Sequence, residues 1–382
     1  MHRRRGNRRR KWFHGIRGDQ PRGVRTTRDV RGARNYSGIC RHRYSGIHHT
    51  IAAEAAMRIG KEVRELQYQR TVPRRLVHRA AVNEVFLTDS CAIGINRYAV
   101  AAQLPRGHEL YSDRPTREHD PMLVAEVCRQ ASILIAHEYM GVPDDWMFIS
   151  RKLVMKSLRR ELFAVGERPT DVVVEIEVDH SAKTRGLPAG ASMTYAVTIR
   201  GEVASTGAAS VIYLSRESYD KLRAEGMAKK SLLEHDAGTD FDPVAPGDID
   251  RSNRKNVVIG REDPRGYPIC VARDHPSLFD HELDHLSGAV LLEACRQAAL
   301  LHLSEMAPGF LGGPLDYSAV EFCSLEAMFT DFAELDSAVH CRVLHSSIGP
   351  ERPAGGREID VEVAIVQQDL RVSDMRIVFL LT

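Results

Sequence analysis

The sequence predicts an α+β fold in which one structural unit occurs twice along the chain. Three observations support this prediction. In each half, strand-like runs rich in β-branched residues flank one long apolar helix, expected at 121–140 and at 288–304. A shift of 167 residues superposes the pattern Glu-x-Cys-Arg-Gln-Ala at 126–131 on the same pattern at 293–298. The chain, at 382 residues, also exceeds what one hydrophobic core usually supports.

The first unit begins with short strands and continues through its helix into a longer series of strands. Its strand-like runs lie at 81–87, 98–104, 148–155, 172–178 and 193–214. The final run contains either two strands or one long bent strand. Pro121 suits the first turn of the helix, and Gly141 followed by Pro143 supplies its end. Few polar residues interrupt this helix, which predicts that it is covered on most sides.

A spacer and a second unit complete the chain. The spacer is polar, with a helical piece near 219–228 and a turn-rich end. The second unit repeats the order of the first, with strand-like runs at 257–260, 269–272, 319–330, 338–344, 359–366 and 371–381. The predicted organisation is an N-terminal extension at 1–71, a first domain at 72–214, a linker at 215–250 and a second domain at 251–382.

The N-terminal extension differs in composition from the rest of the chain. Residues 1–50 contain fifteen basic and two acidic residues, a net charge of +13, which leaves −11 for residues 51–382. No apolar period runs through residues 1–50, so we expect them to be disordered. We interpret them as a solvated tail or as the result of a start codon assigned too far upstream. The alternative is a basic arm that contacts nucleic acid nonspecifically; specific recognition is not expected from an acidic body without a helix-turn-helix pattern.

Several classes of protein are disfavoured by what the sequence lacks. The seven cysteines are odd in number and include no Cys-x-x-Cys pair, which indicates reduced thiols; Cys128 and Cys295, shared by both repeats, are interpreted as packing residues. No apolar run has the length of about twenty residues that a membrane span needs, and the first residues lack the apolar core of a secretory signal, so a cytoplasmic protein is expected. The motifs that bind nucleotide cofactors are absent from the sequence.

The repeated helix pattern carries the candidate chemistry. Residues three apart on a helix share one face, so Glu126 lies beside Arg129 and Glu293 lies beside Arg296. Their neighbours are apolar, and each pair is therefore expected to line a cleft or a domain interface. Two interpretations remain open, a functional site and a structural ion pair at the interface.

Histidines precede each helix, and the same shift of 167 superposes His108 on His275. The others are His119 in the first half and His281 and His285 in the second. Histidine near a carboxylate suits general acid–base chemistry at neutral pH. His281 and His285 have acidic neighbours but no compact third ligand, so no metal site is expected. Any single histidine here is also compatible with a hydrogen-bonded structural role.

Several motifs in combination resemble a known family. They include Val-His-Arg at 77–79, Glu-Val-Phe-Leu-Thr-Asp at 84–89, His-Asp-Pro at 119–121, Ala-His-Glu-Tyr at 136–139 and most of 280–297. They resemble the A-factor type γ-butyrolactone biosynthesis family, from about Val77 to the C-terminus. That family has two tandem hotdog domains, each an antiparallel sheet wrapped around a long central helix. The resemblance therefore implies two hotdog domains packed edge to edge as an intrachain pseudo-dimer.

The resemblance also implies an activity. Members of the family are acyltransferases that join a β-ketoacyl chain, delivered as a thioester on acyl carrier protein, to a hydroxyl of dihydroxyacetone phosphate. The ester closes to a butenolide, which later steps reduce to a signalling lactone. No cofactor is implied beyond the phosphopantetheine of the carrier protein, and a homo-oligomer is compatible with the family. By the same resemblance, Glu126, Glu293 and Arg296 match positions that are essential there.

The roles of these residues are hypotheses at this point. One glutamate accepts the hydroxyl proton of dihydroxyacetone phosphate, and Arg296, with Arg129, holds its phosphate. The N–H groups at the start of each central helix stabilise the thioester carbonyl. His119, His281 and His285 are further candidates for substrate binding.

Two alternative functions remain open. One is a hotdog dehydratase or thioesterase that acts on acyl thioesters without a phosphate substrate. The other is a regulatory protein that binds an acyl lactone. Both helices keep the glutamate and the arginine, so the sequence also leaves open which of the two pseudo-equivalent sites is active.

Overall fold

The computed structural model describes residues 63, 65–184, 186–231, 241–353 and 355–382. The disorder expected for residues 1–50 concerns residues that lie outside this set. Within the described ranges are the helices α1 (Pro121–Glu138), α2 (Arg216–Lys230) and α3 (Gly288–Leu311). None of these helices is both long and apolar enough to cross a lipid bilayer.

The strands of the described ranges are numbered in chain order. They are β1 (Leu87–Gly94), β2 (Arg97–Leu104), β3 (Met147–Ser157), β4 (Thr170–Thr184), β5 (Leu187–Ile199), β6 (Glu202–Leu214), β7 (Tyr267–Pro268), β8 (His285–Leu286), β9 (Val320–Phe329), β10 (Ala333–Glu334), β11 (Val339–Glu351), β12 (Arg357–Gln367) and β13 (Leu370–Leu381).

Eleven of these strands form one antiparallel sheet, in the order β1-β2-β4-β5-β6-β3-β9-β13-β12-β11-β7. The two halves of the chain meet where β3 pairs with β9, from Lys152 opposite Met328 to Lys156 opposite Ser324. The strands β8 and β10 pair with each other in a separate two-stranded sheet. The chain therefore folds as two tandem hotdog domains joined edge to edge, and the predicted intrachain pseudo-dimer is confirmed.

Each central helix is buried on nearly every side, as its lack of polar positions predicts. The carboxylate of Asp120 caps α1 by accepting a hydrogen bond from the N–H of Met122 at 2.8 Å. The hydroxyl of Ser287 caps α3 by accepting one from the N–H of Val290 at 3.4 Å. The two helices therefore begin with different cap residues at equivalent positions, a carboxylate in the first domain and a hydroxyl in the second.

The long run at 193–214 is two strands, β5 and β6, joined by Arg200 and Gly201. Both of these residues have a positive φ, 53° and 82°, as a two-residue hairpin turn requires. The helical piece predicted near 219–228 is confirmed as the centre of α2.

Three short predicted strands are wrong. The run at 81–87 contains a 3-10 turn, Val82–Glu84, and enters β1 only at its last residue. The runs at 257–260 and 269–272 contribute isolated bridges, and the strand of that region is the two-residue β7.

A glutamine on each central helix explains the first two of these errors. The side-chain oxygen of Gln130 accepts the N–H of Phe86 at 3.1 Å, and that of Gln297 accepts the N–H of Val258 at 2.8 Å. Each amide nitrogen also donates to a carbonyl in the same segment, at 2.7 Å. The helix therefore satisfies backbone groups that would otherwise need a neighbouring strand.

Candidate active site

Glu126 of α1 is buried and holds a cluster of donors. Its Oε1 accepts hydrogen bonds from Arg79, from Nη2 of Arg129 at 2.8 Å and from Gln130 at 2.7 Å. Its Oε2 accepts from Nε of Arg129 at 2.7 Å. Burial by itself would raise the pKa of Glu126, but the charges of Arg129 and Arg79 outweigh it and hold the pKa at about 2. The side chain is therefore a carboxylate at neutral pH.

Glu293 of α3 is surrounded in the same way. It accepts hydrogen bonds from Arg251, from Arg296 and from Gln297, each at 2.6 Å. Arg251 of the second domain is thus the equivalent of Arg79 in the first domain. The pairing of glutamate and arginine predicted from the three-residue spacing is present on both helices.

Two loops cross between the domains and cover these clusters. In the first domain, Nδ1 of His108 accepts the N–H of Leu110 and of Tyr111; in the second, Nδ1 of His275 accepts those of two residues at the same spacing. Farther along each loop, an aspartate accepts backbone N–H groups of the other domain, Asp113 from Asn253 and Asp280 from Ala80, both at 2.9 Å. His108 and His275 are therefore structural residues of the interface.

The first cluster, around Glu126, and the second cluster, around Glu293, differ at the N-terminal cap of the opposite central helix. Asp120, the cap of α1, accepts two hydrogen bonds of 2.7 Å from Nη1 of Arg296 and lies 3.9 Å from Arg251. Burial acts to raise the pKa of Asp120, and the arginines overcome it to hold the pKa at about 2. At the equivalent cap of α3 stands Ser287, which is uncharged. As a result the side chain of Arg296 is only 6% exposed, whereas that of Arg129 is 35% exposed.

A cavity of about 310 Å³ opens between the two domains next to the first cluster. Its polar end is formed by Arg79, Glu126, Arg129, Asp280 and His281. The first residues of α3, from Ser287 to Ala289, also line it, as does Glu293. The apolar remainder of the wall includes Met122, Ile133, Phe148, Leu153, Leu286, Leu292 and Phe329. The cavity therefore combines a charged end, a helix N-terminus and an apolar pocket.

Two of the predicted histidines lie at this cavity and one does not. Nδ1 of His281 is 2.5 Å from a carboxylate oxygen of Asp280, and Nδ1 of His285 is 2.7 Å from one of Asp284. His119 is buried, with Nε2 2.9 Å from the hydroxyl of Thr170, and is not among the lining residues. Arg296 is likewise absent from the lining. Of the predicted site residues, the structure thus brings together Glu126, Arg129, Glu293, His281 and His285.

The shared cysteines are packed inside the domains. Burial raises the pKa of the Cys128 thiol to about 12 and raises that of Cys295, which also contacts Cys341. A thiol in such surroundings is a poor nucleophile. Within the ranges that the structure describes, no three His, Cys, Asp or Glu side chains are grouped so that they could hold a metal ion.

Three residues of the clusters were not found from the sequence. Arg79 and Arg251 are 172 residues apart, because the first domain has five additional residues between its arginine and its loop histidine. A comparison at the fixed shift of 167 therefore cannot pair them. Asp120 was detectable, since it precedes a proline at a helix start and aligns with Ser287 at that shift.

The chain is similar to proteins of one family along most of its length. The sequence profile described as AfsA, an A-factor biosynthesis hotdog domain, matches residues 61–215 and 234–382. A 2-oxo-3-(phosphooxy)propyl 3-oxoalkanoate synthase of Streptomyces virginiae is 36% identical over 233 residues, 60% of this chain and 76% of that protein. A protein of the same name from Streptomyces coelicolor is 31% identical over 231 residues, 60% of this chain and 72% of that protein.

Solved structures with a similar chain path are distant in sequence. A putative oleoyl thioesterase from Lactobacillus plantarum is 11% identical, with a TM-score of 0.40 over 76% of this chain and 98% of that chain. The 12:0-ACP thioesterase from Umbellularia californica is 12% identical, with a TM-score of 0.39 over 74% of this chain and 93% of that chain.

Proposed function

This chain belongs to the A-factor biosynthesis hotdog domain family, and from that premise we propose that it is an acyltransferase that joins a 3-oxoacyl group to dihydroxyacetone phosphate. The curated relatives are named for the resulting ester, 2-oxo-3-(phosphooxy)propyl 3-oxoalkanoate. The acyl group is supplied as a thioester on acyl carrier protein. The hydroxyl oxygen attacks the thioester carbonyl, the carbon–sulfur bond breaks, and the hydroxyl proton is passed to the thiolate. No electrons are transferred, so the reaction requires no redox cofactor.

We locate this reaction from the difference between the two clusters. Around Arg296, the donors that a substrate phosphate would use are bound to Asp120 and Glu293 in a buried network. Around Arg129, no carboxylate stands at the opposite helix cap, and the guanidinium borders the cavity. We therefore place the site at the first cluster and the phosphate at Arg129, although the hypothesis from the sequence had Arg296 hold the phosphate together with Arg129.

Arg129 and His281 form the phosphate-binding end of this site. They come from different domains and line the same end of the cavity. The bond from Nδ1 of His281 to the buried carboxylate of Asp280 leaves its Nε2 for a ligand. Arginine matches phosphate oxygens with paired, charge-assisted hydrogen bonds. Glu126 holds Arg129 in position through two of its own hydrogen bonds.

The start of α3 and the apolar wall receive the thioester. The N–H groups of Gly288 and Ala289 have no partner one turn earlier in the helix, and both residues line the cavity. Such N–H groups stabilise the negative charge that develops on a carbonyl oxygen under attack. The acyl chain then lies along the apolar wall between Ile133, Phe148 and Leu292.

The decisive experiment follows the products by mass spectrometry. The purified full-length protein is incubated with a 3-oxoacyl thioester on acyl carrier protein and with dihydroxyacetone phosphate. We expect the phosphorylated ester, or the butenolide phosphate formed from it. The matched control replaces dihydroxyacetone phosphate with dihydroxyacetone, which keeps the hydroxyl and lacks the phosphate, and should give little product.

Release of the free 3-oxo acid at the same rate with and without dihydroxyacetone phosphate would contradict the transferase. That result would identify a thioesterase, the alternative that the fold also permits. Replacing the carrier protein by a short pantetheine analogue tests the partner. Recognition of the carrier protein predicts a higher KM for the analogue at a similar kcat.

A further inference from the structure

His78 lines the cavity, and the reaction as described so far gives it no role. It follows the 3-10 turn Arg74–Val77 and adopts the left-handed conformation, with φ 52° and ψ 53°. Residues other than glycine seldom adopt this conformation, although asparagine, aspartate and histidine do so more readily than others. Backbone strain of this kind persists where the surroundings enforce it, frequently at functional sites. The imidazole ring of His78 lies against His137, with 2.9 Å between the two Nε2 atoms.

The hydrogen bonds of the neighbouring His137 determine which nitrogen of His78 carries the proton. Nδ1 of His137 is 2.8 Å from the carbonyl oxygen of Val142, which only accepts, so this nitrogen donates. Nε2 of a neutral His137 is then an acceptor, and Nε2 of His78, 2.9 Å away, donates to it. A neutral His78 therefore carries its lone pair on Nδ1. Within the described residues, no side chain or backbone group forms a hydrogen bond with Nδ1 of His78.

The surroundings of His78 keep the ring neutral. Burial, and after it the nearby His137, Arg129 and His281, lower its pKa to about 3, while Asp144 opposes them. The ring also packs edge-on against Phe148, with 4.9 Å between the ring centroids. A phosphate dianion bound next to Arg129 would offset the positive charge of that guanidinium. Substrate binding therefore makes His78 a stronger base than it is in the empty cavity.

Glu126, one of the two glutamates considered as the base from the sequence, already accepts several hydrogen bonds. Arg79, Arg129 and Gln130 donate to its two oxygens, and its pKa of about 2 reflects those donors. A carboxylate has about four lone-pair sites, nearly all of which are used here. Glu126 therefore orders the site more readily than it takes up a proton.

We propose that Nδ1 of His78 is the catalytic base of the acyl transfer, an inference that rests on the proposed function. It takes the hydroxyl proton of dihydroxyacetone phosphate as the new carbon–oxygen bond forms. The imidazolium returns that proton to the thiolate sulfur as the carbon–sulfur bond breaks. His137 acts as a positioning residue that holds the tautomer through its bond to the carbonyl of Val142.

The first test is His78→Asn. Asparagine tolerates the left-handed backbone and can donate an N–H to His137, but its amide is not a base at neutral pH. We expect kcat to fall by about 100-fold or more. The KM for dihydroxyacetone phosphate and the Tm should stay close to those of the wild type. A kcat within about three-fold of the wild-type value would overturn the proposal, because loss of a general base costs more than that.

The second test is chemical rescue. Glycine adopts the same backbone without strain, so His78→Gly leaves a gap of the size of an imidazole ring. Added imidazole should restore turnover of His78→Gly in a saturable manner and should not restore turnover of Arg129→Met. A folded His78→Gly variant that imidazole does not rescue would assign His78 a structural role instead.

A third measurement does not depend on turnover. In 15N-histidine-labelled wild-type protein at pH 7, the NMR signals of His78 should show a neutral ring protonated at Nε2, and they should shift when dihydroxyacetone phosphate is added. A ring protonated at Nδ1 would overturn the proposal. If this signature is present but the wild type makes no ester, the proposed function has failed and the tautomer assignment has not.

Discussion

Arg129 and Arg296 occupy the same position on equivalent helices and have different surroundings. Each donates hydrogen bonds to the glutamate one turn earlier. Arg296 also binds Asp120 and is buried, whereas Arg129 borders the cavity. The identity of a residue therefore does not determine its role here, since the charge at the opposite helix cap decides it. The two arginines can be separated experimentally.

We expect Arg129→Met to impair binding of dihydroxyacetone phosphate with little effect on folding. Hydrogen bonds to charged groups contribute about 1.5–3 kcal/mol, so kcat/KM should fall by roughly 10- to 100-fold. Glu126 keeps Arg79 and Gln130 as partners, and the protein should remain folded. Steady-state kinetics with varied dihydroxyacetone phosphate, together with a thermal melt, measure both effects.

Arg296→Met should show the opposite pattern. It leaves the carboxylates of Asp120 and Glu293 buried with one charged partner fewer, and breaking such a pair costs about 3–5 kcal/mol of stability. Urea unfolding measures this loss. If Arg296→Met kept the stability of the wild type and abolished phosphate-dependent turnover, the phosphate would have to be assigned to Arg296 and the placement of the site would be wrong.

The sequence was informative at residue level wherever helical spacing alone fixes a contact. Residues three apart on α1 and α3 had to meet, and Glu126 with Arg129 and Glu293 with Arg296 do meet. Contacts made by irregular segments were not predictable in this way. Arg79 reaches Glu126 from the residues after a 3-10 turn, and no period or spacing marks such a residue.

At the scale of secondary structure, two of the wrong predictions are segments whose backbone binds a central helix instead of a neighbouring strand. The central helices and the long strands bury a continuous apolar face, so their pattern extends over many residues. The runs at 81–87 and 257–260 contain the apolar and β-branched residues that strands contain, so their composition does not distinguish them from strands. Their backbone groups bind side chains of Gln130 and Gln297, a partner that only the folded helix supplies.

Two glycine substitutions should have opposite effects on stability. Gly201 occupies the hairpin turn with φ 82°, and alanine is strained there, so Gly201→Ala should lower the free energy of unfolding by about 1 kcal/mol. Gly226 lies within α2 at a point where an added methyl group would meet open space, so Gly226→Ala should raise it by up to about 1 kcal/mol. Urea unfolding of both variants provides the matched comparison. If both substitutions raised the free energy of unfolding, or both lowered it, this account of the turn would be contradicted.

At the scale of the whole molecule, buried charges link the domains in addition to the continuous sheet. Asp120 of the first domain pairs with Arg296 of the second, and Asp280 of the second pairs with Arg79 of the first. Arg114 of the first domain binds Asp250 in the same way. These pairs make the interface sensitive to the protonation of its carboxylates.

Acid should therefore destabilise the protein within a defined pH range. Burial raises and the arginines lower the pKa of Glu126 and of Asp120, with a net result of about 2 for each, below the usual values of 4.5 and 3.8. Groups with a depressed pKa stabilise the folded state above their unfolded pKa, and this contribution is lost as the pH falls toward the folded pKa. The free energy of unfolding should thus be nearly constant from pH 7 to 5 with respect to these two groups and decline between about pH 4.5 and 2.

The matched variant is Asp120→Asn, which removes one of the titrating groups. Its acid decline should be shallower by up to about 1.4 kcal/mol per pH unit, the contribution of one proton. Urea unfolding at a series of pH values measures both slopes. An identical slope in the variant and the wild type would show that Asp120 does not titrate with a depressed pKa.

The different caps of the two central helices have a consequence for how such a protein can change over generations. In an assembly of two identical chains, every substitution appears in both sites at once, so a change that favours rigidity in one site is imposed on the other. A chain that carries both domains in tandem is free of that symmetry. Asp120 and Ser287 occupy equivalent caps but are encoded separately. Selection can therefore act on stability at the cap Asp120 and on catalysis at the cap Ser287.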